Sequence, residues 1–157
     1  MKQDKEIPSL SVVIPVYNEE ETIDKILNLV STIEIVNEIV IIDDCSKDNS
    51  VQETKKSMEL ISIKNPRINF LLSQNKKNRG KGASIRKGFS LATCDVIVIQ
   101  DADLEYDPNE YPRLIKPIAD GNADVVYGSR FIGGTHRVLY FWHYMGNKML
   151  TLMSNMF

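Results

Sequence analysis

Apolar residues come in short runs along this chain, and each run ends abruptly in polar residues. The runs are "LSVVIPV" at 10–16, "EIVIID" at 38–43, "INFLLS" at 68–73, "VIVIQD" at 96–101 and "ADVVYGS" at 123–129. They are rich in Val and Ile and nearly continuous rather than alternating, the pattern of strands covered on both faces. Between the first two, Ile23, Ile26, Leu27, Val30 and Ile33 fall at helical spacing and predict an amphipathic helix. Val51, Thr54, Met58 and Ile61 predict a second helix. A third is expected to begin near Gly80 and to bury Ile85, Phe89 and Ala92. A fourth opens at "DPNE", with Asp107 as N-cap, Pro108 at N1 and Glu110 at N3. Strand and helix alternate throughout, which predicts an α/β fold with a mostly parallel central sheet flanked by helices. Its ligand site should lie beyond the carboxyl ends of the strands.

Composition narrows the picture. With 157 residues, 43% hydrophobic and 25% charged, the chain can bury the core of one globular domain. Its 19 basic and 21 acidic residues leave a net charge of −2, so no global charge argues for nucleic acid and any anion site must be local. Cys45 and Cys94 are too few for a disulfide framework, and neither they nor His136 and His143 have metal-ligand spacing. The N-terminus mixes acids with lysines and its apolar run is broken by Pro15, unlike a signal peptide. No stretch reaches the ~20 apolar residues of a membrane-spanning helix. A cytoplasmic setting is the expectation.

The polar clusters fall at the predicted carboxyl edge: "PVYNEE" after the first strand, "DDCSKD" after the second, "QNKKNRGKG" after the third, "DADLE" after the fourth and "GSR" after the fifth. Solvated turns account for "SKDNS", but less well for doubled aspartates. In an extended segment Asp101 and Asp103 would point the same way, and two carboxylates so close repel unless a cation neutralises them. Mg²⁺ or Mn²⁺, which takes one or two carboxylates plus substrate phosphates, suits such a pair. A basic stretch accompanies it. From Lys76 to Lys87 there are six cations and no acid, around an "RGKG" that opens a helix. Solvation explains Lys76 and Lys77; Gly80, Lys81 and Gly82 at a helix N-terminus suit a bound anion. The pattern is neither a Walker loop nor a dinucleotide fingerprint.

Together and in order, "VVIPVYNEEETI", "IVIIDDCSKDNS", "NRGKGASIRKG", "VIVIQDADLEYDP" and "DVVYGSRF" resemble the family-2 inverting glycosyltransferases of GT-A (Rossmann-like) fold, with the nearest likeness to dolichol- or polyprenyl-phosphate sugar transferases. The resemblance implies a UDP- or GDP-sugar donor and a lipid-phosphate acceptor. Pro15, Tyr17, Asn18 and Glu19 would line the nucleoside pocket, with Asp44 near the base and Lys81 beside the donor. Asp101 and Asp103 would hold the metal, joined by Glu105, which stands where many relatives carry glutamine. Arg130 would meet the donor or acceptor phosphate. Cys45 stands where glycine is common. These residues would act by direct displacement at the anomeric carbon, with the diphosphate stabilised as it leaves.

On this reading residues 1–137 form the nucleotide-sugar-binding domain, and 138–157 an amphipathic helix with Trp142, Met145, Met149, Leu152 and Met156 on one stripe. That stripe suits packing on the domain, on a second subunit as a homodimer, or peripherally at a membrane headgroup boundary. Because the segment is apolar to its last residue, a longer natural chain at the cytoplasmic face of a membrane is expected. Three rival readings remain open at this point. One is a haloacid-dehalogenase-type phosphatase using Asp101 and Asp103, another a receiver-like signalling domain using Asp43 and Asp44, and the third a nucleotide-sugar-binding domain without turnover.

Overall fold

The computed structural model describes residues 8–128. Nearly all of them belong to one compact unit, Met1–Val126, while Tyr127–Phe157 forms another. Ser129 and Arg130 of the "GSR" motif and the C-terminal stripe lie outside the described residues.

Strands β1 (Leu10–Val16), β2 (Val36–Asp43), β3 (Asn69–Gln74) and β4 (Val96–Ile99) alternate with helices α1 (Ile23–Thr32), α2 (Ser50–Lys64) and α3 (Lys81–Leu91). A 3-10 turn at Pro108–Glu110 then leads into α4 (Tyr111–Ala119). The Asp107 side chain accepts from the Asn109 amide at the start of that turn, with Pro108 behind it, as "DPNE" predicts. All strand pairings are parallel, in the order β3-β2-β1-β4. The winding therefore reverses between β1 and β4, where an open α/β sheet leaves a crevice. The receiver-like reading fits poorly, because receivers share the flavodoxin-like order with β1 and β3 adjacent.

Alternation along β1 sends Leu10, Val12, Ile14 and Val16 into one core with α1, α2 and α4. Val13 turns to the other face, where it joins Val40 and Ile42, with Leu71, Leu91, Ala92 and Ile97 packed around them. Helix α3 packs on β1 and β2 but not as its large residues predict. Ser84 and Gly88 are its buried residues, whereas Phe89 is exposed. The cause is a close approach: a Cβ on Gly88 would stand 2.3 Å from Val13 Cγ1. Small residues make the contact, and the larger ones turn aside.

Two further expectations need correction. Strand β4 stops at Ile99, before the aspartates, and residues 123–128 form no strand, with Val125 and Tyr127 exposed. Among the described residues nothing pairs with 123–128, and an extended run without a ladder is not a strand. The early end of β4 traces to Pro15. Gln100 N–H donates to Val13 O at 3.0 Å, so Val13 presents its polar groups to β4, and two residues on Pro15 must do the same. Pro15 has no N–H to offer. The ladder ends there, and the chain after β4 is free to swing away from β1.

Candidate donor-binding site

Beyond the carboxyl ends of β1 and β4 lies a cavity of ≈ 280 Å³. Pro15, Tyr17 and Glu19 line it from the β1 side, Asp44 and Lys81 from the β2 and α3 side, and Asp101 and Asp103 from the β4 side. Seven sequence-predicted residues thus converge on one crevice. A larger groove of ≈ 750 Å³ runs along α1 and α2, but it is lined by no carboxylate. It offers no acidic side chain to hold a divalent cation.

The near wall is built by two loops tied to each other. Asn18, in a left-handed conformation (φ 57°), donates its amide to Ser46 Oγ at 3.0 Å and accepts from Lys47 N at 2.8 Å. The Glu19 amide donates to Ser50 Oγ at 2.7 Å, and Glu20 Oε2 accepts from both the amide and the side chain of Asn49 at 2.9 Å. Asn18, expected in the nucleoside pocket, spends its side-chain oxygen on this tie and does not line the cavity. Cys45 also adopts a left-handed φ of 66°, which explains why a glycine would suit that position.

Asp44 is buried at the head of the basic loop. Its carboxylate accepts from Asn75 Nδ2 at 2.7 Å, from Arg79 N at 3.0 Å and from Gly80 N at 2.7 Å. Burial works against its charge, but the hydrogen bonds from Asn75, Arg79, Gly80 and Ser84 outweigh it and hold the carboxyl below the usual aspartate value. Asp44 therefore fixes the start of α3, including the φ 82° turn at Gly80 that a Cβ would strain. Neighbouring Asp43 accepts from the amides of Cys45 and Ser46 through Oδ2, while its buried Oδ1 has no partner.

At the far wall, Asp101 and Asp103 lie in a turn rather than in an extended strand, yet both face the cavity. Lys81 Nζ stands 2.6 Å from Asp101 Oδ1, and the Glu105 amide donates to Asp103 Oδ1 at 3.0 Å. Leu104 between them has a φ of 63°, a strained value for a leucine. Gln100, which the sequence reading passed over, positions this turn. Fully buried, it donates to the carbonyls of Asp101 (3.0 Å) and Tyr106 (3.2 Å) and accepts from Tyr111 OH at 2.6 Å. Burial, with Asp107 nearby, raises the Tyr111 phenol, so it remains a neutral donor to Gln100. A lone amide ending an apolar strand was the available signal, because such a group must be bonded to something.

Among the described residues no group of three or more His, Cys, Asp or Glu side chains is placed to hold a metal ion, so Glu105 is not gathered with the two aspartates. The donor set still suits a hard divalent cation. Two carboxylates at an open crevice match an ion that takes one or two protein carboxylates and fills its remaining positions with phosphate and water. The ammonium of Lys81 on Asp101 shows that this carboxylate accepts a cation from the cavity side.

This is a doubly wound α/β domain with an acidic, lysine-bridged crevice at its switch point. The family model described as glycosyl transferase family 2 matches residues 11–156, and the chain belongs to that family. An uncharacterized protein of Methanocaldococcus jannaschii is 38% identical over 122 residues, which are 75% of this chain and 50% of that protein. A dolichol-phosphate mannosyltransferase of Pyrococcus furiosus is 32% identical over 127 residues, 80% of this chain and 34% of that one. The chain thus spans half or less of these relatives' length. Among solved structures, a mannosyltransferase from Pyrobaculum calidifontis in complex with GDP-Man and Mn²⁺ superposes with a TM-score of 0.56 at 26% identity, over 61% of this chain and 28% of that one. Glucosyl-3-phosphoglycerate synthase from Mycobacterium tuberculosis shares the fold with a TM-score of 0.59 at 22% identity, over 73% of this chain and 41% of that one. The fold is GT-A, as the motifs imply.

Proposed function

We propose that this chain carries the donor half of a sugar transferase. It binds a nucleoside-diphosphate sugar with Mg²⁺ or Mn²⁺ and passes the sugar, with inversion, to an anionic acceptor of the polyprenyl-phosphate class. The observation that carries this reading is the convergence of Asp101, Asp103 and Lys81 on the cavity that Tyr17 and Asp44 also line. Family membership supports transfer over the phosphatase reading, and the solved mannosyltransferase with GDP-Man and Mn²⁺ supports a metal-bound donor.

In this reading Tyr17, with an exposed ring, offers a face to the nucleoside. Lys81, at the head of α3, presents its ammonium to the diphosphate, which favours the negative charge that develops there. Asp101 and Asp103 would hold the divalent ion. When bound, that ion supplies charge neutralisation on the leaving diphosphate. The acceptor oxygen forms its bond to the anomeric carbon as the bond from that carbon to the diphosphate oxygen breaks, and the nucleoside diphosphate departs with the electron pair. A phosphate acceptor is already anionic at neutral pH and needs no strong base. That suits a site whose chain has no histidine before His136. The dolichol-phosphate mannosyltransferase relative supports the same acceptor class. A lipid acceptor would place the whole protein at the cytoplasmic face of a membrane as a peripheral protein; among the described residues no helix is long and apolar enough to cross one. Arg130 would meet a donor or acceptor phosphate.

Calorimetric titration of the chain with UDP, GDP, UDP-glucose and GDP-mannose, with and without Mn²⁺, tests the donor site. One base should bind in the presence of Mn²⁺ and lose at least tenfold in affinity in Asp103→Ala. Absence of binding by all four at millimolar concentration would sink the reading.

A further inference from the structure

Three of the four described ion pairs join residues three or four apart in sequence at a helix end or along a helix: Lys56 with Glu53, Arg113 with Glu110, and Lys116 with Asp120. Lys81 with Asp101 is the exception. It spans the cavity from the first residue of α3 to the turn after β4, at 2.6 Å. The lysine's own position is unfavourable, because a cation at a helix N-terminus opposes the dipole, and the first turn of α3 contains no acid to offset it. Its backbone cannot relax away either, since Asp44 holds the amides of Arg79 and Gly80 just before it. Only the side chain is free to choose a partner. Lys81 is 59% exposed on its four-carbon stem, whereas Asp101 is 18% exposed and anchored through its carbonyl to Gln100.

Resting on the donor-site reading above, we infer that Lys81 is an exchangeable counter-ion. It occupies Asp101 while no diphosphate is bound and moves to the diphosphate when one enters, releasing Asp101 to a divalent cation. With Asp103 also facing the cavity, the far wall sets two carboxylates against one ammonium, while Asp44 is already engaged by Asn75 and Gly80. A divalent cation entering alone must displace that ammonium or sit beside it, and both outcomes weaken its binding. A diphosphate entering with it gives Lys81 a new anion, so no charge is stranded in either state. Cation and nucleotide then strengthen each other's binding by one common factor, as linkage requires. The site discriminates against free metal ions and against metal-free nucleotide without any moving loop. Lys81 is thus a positioning and coupling residue as well as a diphosphate contact.

The test is a Mn²⁺ titration of the 157-residue chain, followed by the electron paramagnetic resonance signal of free Mn²⁺, with and without a saturating amount of whichever of GDP and UDP binds. Lys81→Met should bind Mn²⁺ alone about fivefold more tightly than the parent, the upper range for losing a partly exposed ion pair. The factor by which nucleotide tightens Mn²⁺ binding should shrink in the same variant. Lys77→Met removes an equal charge from the same loop without touching Asp101 and should leave both quantities at parental values. If Lys81→Met tightens Mn²⁺ no more than Lys77→Met does, or leaves the coupling factor intact, the counter-ion role is wrong while the donor site stands. If the parent shows no nucleotide-dependent Mn²⁺ binding at all, the donor-site reading falls and takes this inference with it.

Discussion

Asp44 shows how one carboxylate can organise the wall of a cavity. The sequence places it near the base, and it does line the cavity, yet its two oxygens are engaged by Asn75, Arg79 and Gly80. Because its carboxyl lies below the ordinary 3.8, it contributes stability that is fully present above that pH and is lost as the pH falls through the lowered value. Accordingly, the amide proton of Gly80 should move upfield in NMR spectra as the pH is taken well below 3.8. In Asp44→Asn the same proton should resonate upfield at every pH, and stability should drop by about 1–3 kcal/mol, the cost of weakening hydrogen bonds to a buried charged acceptor. An unchanged Gly80 shift across the titration would show that the carboxylate is not what holds the loop.

At the scale of elements, α3 is the piece whose placement decides the site, and it is fitted to the sheet by absence of bulk. Gly88→Ala would push a methyl to 2.3 Å from Val13 Cγ1, a stiff β-branched neighbour with no exposure. Overpacking of this kind costs about 1–3 kcal/mol, measurable as a lower urea midpoint. Combining it with Val13→Ala should be less destabilising than the sum of the two single changes, a non-additivity that independent sites would lack. The same helix marks the limit of reading from sequence. β1, β2 and α1 were legible because nearly continuous Val and Ile, or a clean helical stripe, admit one interpretation. In α3 the stripe of Ile85, Phe89 and Ala92 put Ala92 on the core but missed Ser84 and Gly88 and left Phe89 exposed, since hydrophobicity cannot report how closely two backbones approach. The acids lining the cavity stood out for another reason: they follow directly on an apolar strand. Gln100 was missed because polar residues in turns look alike until their hydrogen-bond partners are known.

Across the whole molecule, polar side chains do different work at the two edges of the sheet. At the carboxyl edge they surround an open cavity; near the amino edge Glu38 ties neighbouring segments together. Glu38, buried near the start of β2, accepts from Ser11 Oγ, from Thr93 N at 2.9 Å and from Thr93 Oγ1 at 3.0 Å, joining β1, β2 and the segment before β4. Glu38→Ala should leave the buried Ser11 hydroxyl without its acceptor and lower stability by about 1–3 kcal/mol. Nucleotide affinity, measured well below the melting temperature, should not change. A parallel loss of affinity would mean that the two edges are energetically coupled rather than separate.

The missing hydrogen on Pro15 has a kinetic meaning. A gap left where one strand lacks a donor cannot be zipped shut by the sheet, since no ladder bond waits to form there; what reaches across the cavity is the Lys81–Asp101 ion pair. What gives way to an entering ligand is therefore a side-chain ion pair and not a backbone ladder, an exchange fast enough that capture should follow a single bimolecular phase.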